Sequence, residues 1–352
     1  MTNPAGRGAP RVVAFGEILL RLKSPGNERL LQSEQLEASF GGAEANVVAS
    51  LAQLGISTSM ASALPPNAIG DAAIAGLRRF GVDTTAIVRQ GDRAGSYYFE
   101  AGAGLRPSTV IYDRAGSSMA TAKPGDFDWP TILAGASWLH LTGITPAISA
   151  SAAALCLEAA RAARGKGITV SCDYNYRAKL WQYGKPARAV MPELVREVDV
   201  GIAGREDCQT MLGIEMTAAP QSAGGSVDMA AFERLVDRVL EAFPNLKAQA
   251  ITLRDSRSAN THGWSACLRD RSGFYVSRQY QIDDAVDRVG AGDAFAAGLI
   301  YGMSTGADSQ RSLELATAAS CLKHFVPGDV NRATLAEIEA VVRGEGGGRV
   351  QR

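Results

Sequence analysis

Short runs of β-branched and aromatic residues alternate along the chain with stretches whose apolar residues recur every three or four positions. Val12 to Phe15, ending at Gly16-Glu17, reads as a buried first strand, and similar runs stand at Thr58 to Ala61, Trp138 to Thr142, Ile168 to Asp173, Val198 to Ile202 and Ala248 to Leu253. Between them Ala43 to Leu54, Ala72 to Phe80 and Ser149 to Arg164 carry helical spacing. Each is followed by a glycine (Gly55, Gly81, Gly165) that can adopt the left-handed backbone beyond a helix end. This alternation predicts an α/β fold, a mostly parallel central sheet with helices on both faces.

Two segments break the rhythm. Residues of about 18–40 and 94–112 lack helical period and carry alternating runs such as Ser96 to Glu100 and Thr109 to Tyr112. They are expected to form a small β-sheet projecting as a lid from a single domain spanning 1–352, long surface loops being the alternative. Trp264 to Leu268 and Phe274 to Ile282, with Ser272-Gly273 between, read as a hairpin-rich patch. The ends, 1–10 and 344–352, read as flexible, and no repeat of solenoid period is present.

Composition narrows the function. The chain of 352 residues is 46% hydrophobic and 20% charged, enough for a substantial core. Its 36 basic and 36 acidic residues cancel, so no basic excess points to nucleic acid, and small molecules are the expected partners. Five cysteines without paired spacing point to reduced thiols and the cytoplasm. No apolar leader core and no membrane-length apolar run is visible.

The most informative string is Asp287-Arg288-Val289-Gly290-Ala291-Gly292-Asp293-Ala294-Phe295. Small residues let the backbone approach a ligand, and a helix starting there would aim free amides and a positive dipole end at it, an anion pocket suited to a γ-phosphate. Asp293, kept ionised by the same dipole, is placed to accept the proton of an attacking hydroxyl. Capping the helix is the plainer role for such an aspartate. A dinucleotide fingerprint would need glycine where Phe295 stands, and no Gly-x-x-x-x-Gly-Lys-Ser/Thr loop exists. Cys321 and His324 lack a second ligand pair, which argues against zinc, and His140 and His262 have no evident nucleophile partner.

Gly41-Gly42-Ala43-Glu44-Ala45-Asn46, Asp173-Tyr174-Asn175-Tyr176-Arg177 and Gly290-Ala291-Gly292-Asp293, in this order, resemble the signatures of the ribokinase-like carbohydrate kinases, also called the phosphofructokinase B family. The resemblance covers nearly the whole chain. Within the family, Phe15 to Ile18, Leu20 to Leu22, Tyr112 to Arg114, Leu141 to Pro146, Leu180-Trp181 and Cys321 to His324 leading to Pro327-Gly328-Asp329 are similar to 2-keto-3-deoxygluconate kinases. It implies a three-layer α/β/α fold with a β-sheet lid, ATP and Mg²⁺ as cofactors, and phosphorylation of a sugar acid at its terminal hydroxyl. A requirement for a monovalent cation stays open. The alternatives are another sugar of the same family (ribose, fructose, 2-keto-3-deoxygalactonate or 5-dehydro-2-deoxygluconate) or a non-catalytic sugar- or nucleotide-binding protein.

The resemblance also implies roles. Asp293 would be the base, with the amides of Gly290, Ala291 and Gly292 around the moving phosphoryl group. Gly41 and Gly42 would form the hinge between lid and core and line the sugar site. Asn46, the lid tyrosines Tyr97 and Tyr112, Arg114 and Asp329 would contact the sugar, and Arg177 would take its carboxylate bidentately. Thr252, Arg254 and Gly263, with the glycine turn, would contact the nucleotide. The family's Asn-x-x-Glu, associated with magnesium, is replaced by Gly204 and Asp207, leaving Asp207 to act through water. Exposed lid edges predict a homo-oligomer joined through the lid.

Overall fold

The computed structural model describes residues 9–216 and 228–345. The ends expected to be flexible lie outside them, save for positions 9, 10, 344 and 345. In chain order the strands are β1 (Arg11–Phe15), β2 (Leu19–Lys23), β3 (Glu37–Gly41), β4 (Ser57–Leu64), β5 (Ile87–Arg89), β6 (Gly95–Glu100), β7 (Thr109–Asp113), β8 (Trp138–Thr142), β9 (Thr169–Asp173), β10 (Val200–Gly204), β11 (Ala248–Ser256), β12 (His262–Asp270), β13 (Phe274–Val276) and β14 (Tyr280–Ile282). Ten of them form one sheet in the order β13-β12-β11-β10-β9-β8-β1-β4-β5, with β14 beside β12. Neighbours from β5 through to β11 are parallel, while β11 to β14 pair antiparallel.

Both faces of this sheet are covered, as its nearly continuous apolar strands require. In β1, Val13 and Phe15 enter one core with Leu155 and Ala159 of the helix Ala150–Gly165 and Phe232 and Leu235 of the helix Met229–Ala242. Val12 points the other way, toward Val47 and Leu51 of the helix Ala43–Gln53, Phe295 and Leu299 of the helix Ala291–Ser304, and Leu313 of the helix Ser309–Lys323. The last two helices meet closely. A Cβ on Gly298 would lie 2.7 Å from the Ala316 Cα, and one on Gly302 2.6 Å from the Ser312 hydroxyl, so two glycines four apart set the contact.

The segments that broke the helical rhythm form a separate four-stranded sheet, β3-β2-β6-β7. β2 pairs antiparallel with β3 and parallel with β6, and β6 antiparallel with β7.

Element ends differ from the sequence reading for local reasons. The helix expected from Ala72 starts at Ala68, because Asn67 caps it by accepting the amides of Ile69 and Gly70. Gly165 lies inside its helix, and Gly167, at φ 69°, takes the left-handed turn instead. Phe274 to Ile282 is two strands, parted where the Ser277 hydroxyl donates to the Arg278 carbonyl and accepts the Ala266 amide. Among the described residues no helix is long and apolar enough to cross a membrane.

Candidate active site

From β1 the chain moves to β4 and β5 on one side and later returns to lay β8 on the other. Loops leaving the carboxyl ends of β1 and β8 therefore diverge, and a crevice opens where they part. A cavity of about 430 Å³ lies there, walled by Glu17 after β1, Ile144 after β8, Asp173 and Asn175 at β9, Gly204 and Asp207 at β10, and Thr252 and Arg254 in β11. Leu19, Tyr97, Val110 and Tyr112 of the small sheet close it from above.

The Gly290 to Asp293 turn forms part of this wall. Gly290 has φ 83°, and a Cβ there would sit 1.9 Å from the Asp329 carbonyl oxygen, so only glycine fits. It precedes the helix Ala291–Ser304, whose dipole end faces the cavity. The amide of Ala291 donates to the Arg288 carbonyl at 3.3 Å. The free donors among the described residues are thus the amides of Gly290, Gly292 and Asp293, one residue removed from the expected set. A Cβ on Gly292 would meet nothing nearer than the Asp173 carboxylate at 3.9 Å, so that position is open space.

Asp293 lies in the first turn and does not cap it; its Oδ2 accepts the Asn46 side-chain amide at 2.7 Å. The ionisation of its carboxyl expected from the dipole is opposed by burial. Burial pushes its pKa up to about 7, opposed by the Asn46 hydrogen bond and by Arg177, and assisted by the Asp329 and Glu44 carboxylates. A group poised near neutrality suits a general base. Asn46, expected on the sugar, bonds Asp293 through its side-chain amide N–H, while its buried Oδ1 has no partner among the described residues and is the atom left for a ligand hydroxyl.

Several expected sugar contacts bond one another. Asp329 accepts the Tyr97 hydroxyl through Oδ2 and an Arg21 guanidinium N–H through Oδ1, and the same guanidinium reaches Asp287 at 2.7 Å. The result is a buried latch between β2 and β6 of the lid and the loops beside the glycine turn. Arg114 is likewise paired, with buried Glu17. Tyr97, Arg114 and Asp329 keep a place on the cavity wall and Tyr112 stands across from Tyr97 in the lid register. Gly41 is off that wall. A Cβ there would strike Asp329 at 2.3 Å, so this glycine makes room for the latch, and Gly42, at φ 141°, remains on the wall at the start of the helix Ala43–Gln53.

Arg177 is exposed, with its guanidinium bonded to the Tyr176 carbonyl at 2.9 Å. It favours the charged forms of Asp173, Asp207 and Asp293. Burial lifts Asp173 well above the usual carboxylate range, and the Asp207 and Asp293 charges lift it further. Thr252 and Arg254 line the C-terminal side, as does Arg288, half-buried and without a side-chain partner among the described residues. Trp264, whose buried indole N–H is also unpartnered, and His324 complete that wall. Gly263 does not reach it. It pairs with Gln281 across β12 and β14, and a Cβ there would press on Gln279 at 3.2 Å.

For magnesium the donor set is thin. Asp207 uses Oδ2 to accept the Gly204 amide at 2.6 Å and Oδ1 to accept the Tyr176 amide at 3.2 Å. Among the described residues no three His, Cys, Asp or Glu side chains are grouped to hold a metal. This fits a cation carried mainly by phosphate and water, the usual manner of Mg²⁺ with nucleotides, better than a protein cage.

Sequence reasoning missed Glu17, Arg21, Glu44, Asp173, Asp287 and Arg288. A signal existed for Arg21. On the period-two alternation of β2 it shares a face with Leu19, an inward position where an arginine demands a buried partner. Glu44, accepting the Thr142 and Thr145 hydroxyls at 2.7 and 2.8 Å, stands out only as a carboxylate between alanines in a buried helix start.

Known proteins agree with this architecture. A relative from Haloferax volcanii named 2-dehydro-3-deoxygalactonokinase is 31% identical over 335 residues, covering 95% of this chain and 96% of that one. One from Thermoproteus tenax named 2-dehydro-3-deoxygluconokinase is 27% identical over 321 residues, 90% and 89% of the two chains. The crystal structure of 2-dehydro-3-deoxygluconokinase from Thermotoga maritima superposes with a TM-score of 0.89 at 44% identity, covering 95% of this chain and 100% of the other. Residues 9–334 match the model of the pfkB family carbohydrate kinases, and the chain belongs to that family.

Proposed function

We propose that this carbohydrate kinase transfers the γ-phosphoryl group of ATP to the terminal hydroxyl of 2-dehydro-3-deoxygluconate, the 2-keto-3-deoxygluconate of the sequence reading, giving the 6-phosphate. The observation that carries it is Asp293, a carboxyl near neutrality in the same helical turn as unpartnered amides, facing a cavity under a β-sheet lid. Asp293 takes the hydroxyl proton as the substrate oxygen bonds to phosphorus and the bond to ADP breaks, ADP leaving with its electrons. The amides of Gly290, Gly292 and Asp293 face the charge on the migrating group. Arg254 and Arg288 hold the nucleotide phosphates, Thr252 lies beside them, and Arg177 takes the acid end of the sugar. Asp207 and Asp173 would hold a Mg²⁺ brought in with ATP, through water, and that ion would supply charge neutralisation at the phosphates. The names of the Thermotoga and Thermoproteus proteins support the gluconate substrate, and that of the Haloferax relative favours its galactonate epimer as a second.

Among the described residues both edges of the lid sheet are unpaired, and Leu105 and Ile111 beside them are exposed. They are the surface through which two copies of this chain would join. The five cysteines are unpaired and buried, which suits work in the reducing cytoplasm. The test is ADP release measured across neutral sugars and both deoxy-keto acids. The greatest kcat/KM on 2-dehydro-3-deoxygluconate is expected, and a preference for ribose or fructose, or no sugar-dependent ADP at all, would refute the reading.

A further inference from the structure

Lys323 ends the helix Ser309–Lys323 and is fully buried, yet no carboxylate lies within 4 Å of its ammonium among the described residues. Its Nζ donates to two main-chain carbonyls, Asp287 at 3.0 Å and Val326 at 2.9 Å. These belong to the two segments that shape the glycine turn. One runs through Asp287 to Gly290; the other through Val326 to Asp329, whose carbonyl abuts Gly290. The segments also touch through the Gly328 amide, donated to the Asp287 carboxylate, and just before them the His324 carbonyl accepts the amides of Val286 and Asp287.

A buried positive charge set among carbonyl oxygens is a monovalent-cation site in chemical terms. Ammonium and potassium ions are of similar size and charge, and both are satisfied by several neutral oxygens. A lysine there is costly, since burial pulls its pKa down from 10.5. A purely packing role would be filled more stably by methionine or leucine. We propose that the Lys323 ammonium is a built-in substitute for a monovalent cation, tying the segment before the glycine turn to the one after it, so that the phosphoryl site keeps its shape without potassium. The inference rests on that turn being the phosphoryl site, and it answers the monovalent-cation question left open by the sequence.

Potassium, ammonium and choline chlorides are compared at equal ionic strength on the wild type, Lys323→Ala, which leaves space for an ion, and Lys323→Met, which fills that space without charge. Turnover and, without sugar, melting temperature and ATP affinity are read. The wild type should be indifferent to the cation. Both variants should lose turnover by about 100-fold, the scale of a 1 Å misplacement at a reacting site, and Lys323→Ala alone should regain activity, ATP affinity and melting temperature in potassium or ammonium. Wild-type activation by potassium over choline would overturn the proposal, as would a folded Lys323→Ala that no small cation restores. Should Lys323→Ala fail to fold in choline, its refolding yield in potassium is compared instead, and equal yields overturn it. Because melting and ATP binding are read without sugar, a wrong sugar assignment leaves these outcomes intact.

Discussion

The side-chain amide of Asn46 donates a 2.7 Å hydrogen bond to the carboxylate of Asp293, joining the first turns of two helices that both begin at the cavity. Burial works to protonate Asp293; this bond works to ionise it. The balance, near pH 7, is where a base can exist unprotonated and still accept a proton effectively. In the proposed mechanism Asn46 therefore positions and tunes Asp293 as well as facing the ligand.

The pH profile should display that balance. With Asp293 at about 7, kcat/KM should fall as pH drops below neutrality, following protonation of the free enzyme. Asn46→Ala removes a hydrogen bond to the ionised form, so the acid limb should move to higher pH. Unchanged limbs in this variant would show that another group titrates.

Asp293→Asn should lower turnover by about 10² to 10⁴-fold with ATP affinity retained. Its stability effect has a defined sign. The carboxyl titrates near 3.8 in an unfolded chain and near 7 here, so the native state is progressively penalised as pH rises between those values, and fully above them. The asparagine variant should therefore melt higher than wild type at pH 8, with the gain shrinking toward pH 4. Melting curves at both pH values check this.

The fold was legible because each strand and helix carries its own pattern, and Trp138–Thr142 appears at the expected residues. The lid strands were legible too, since Ser96 to Glu100 and Thr109 to Tyr112 alternate within β6 and β7. The glycine turn and Asp293 were visible as a local string. What stayed hidden is tertiary pairing. Tyr97 and Asp329 are 232 positions apart, and Arg21 and Asp329 308 apart, so nothing local shows that residues expected on a sugar hold one another. The titration of Asp293 was hidden for the same reason, because the burial that governs it comes from distant segments.

The two glycines of the turn should fail differently. Gly290→Ala meets a left-handed backbone, costing about 1–2 kcal/mol, and a carbonyl where its methyl must go, so melting temperature should drop along with activity. Gly292→Ala projects a methyl into open cavity space. It should melt like the wild type but lose ATP affinity and turnover, a split that differential scanning fluorimetry with nucleotide titration resolves.

Arg21 is buried between Asp287 and Asp329 and stacks over Phe99, 4.9 Å from the ring centre. Arg21→Met leaves two buried carboxylates unpaired, and breaking such a pair costs about 3–5 kcal/mol. Chemical denaturation should show this loss. Adding Asp329→Asn, which removes one of the stranded charges, should recover part of it, and simple additivity of the two changes would mean that the latch is not a coupled unit.

The proposed preference for an acid substrate rests on Arg177. Its guanidinium is exposed on the wall, as is that of Arg254, proposed for the nucleotide phosphates, whereas Arg114 is buried in an ion pair, so Arg177 is the planar cation left to meet a carboxylate from solvent. It also favours the charged forms of Asp173 at the end of β9, Asp207 beyond β10 and Asp293 in the first helical turn. Arg177→Met should thus do two separable things. KM for an acid sugar should rise by about 10-fold or more, the scale of a lost charge-assisted hydrogen bond, with little change for a neutral sugar. The acid limb of the pH profile should also shift upward for every substrate, because Asp293 loses a neighbouring positive charge. Equal KM effects on acid and neutral sugars, measured in the same coupled assay, would remove Arg177 from carboxylate recognition and leave it the electrostatic role alone.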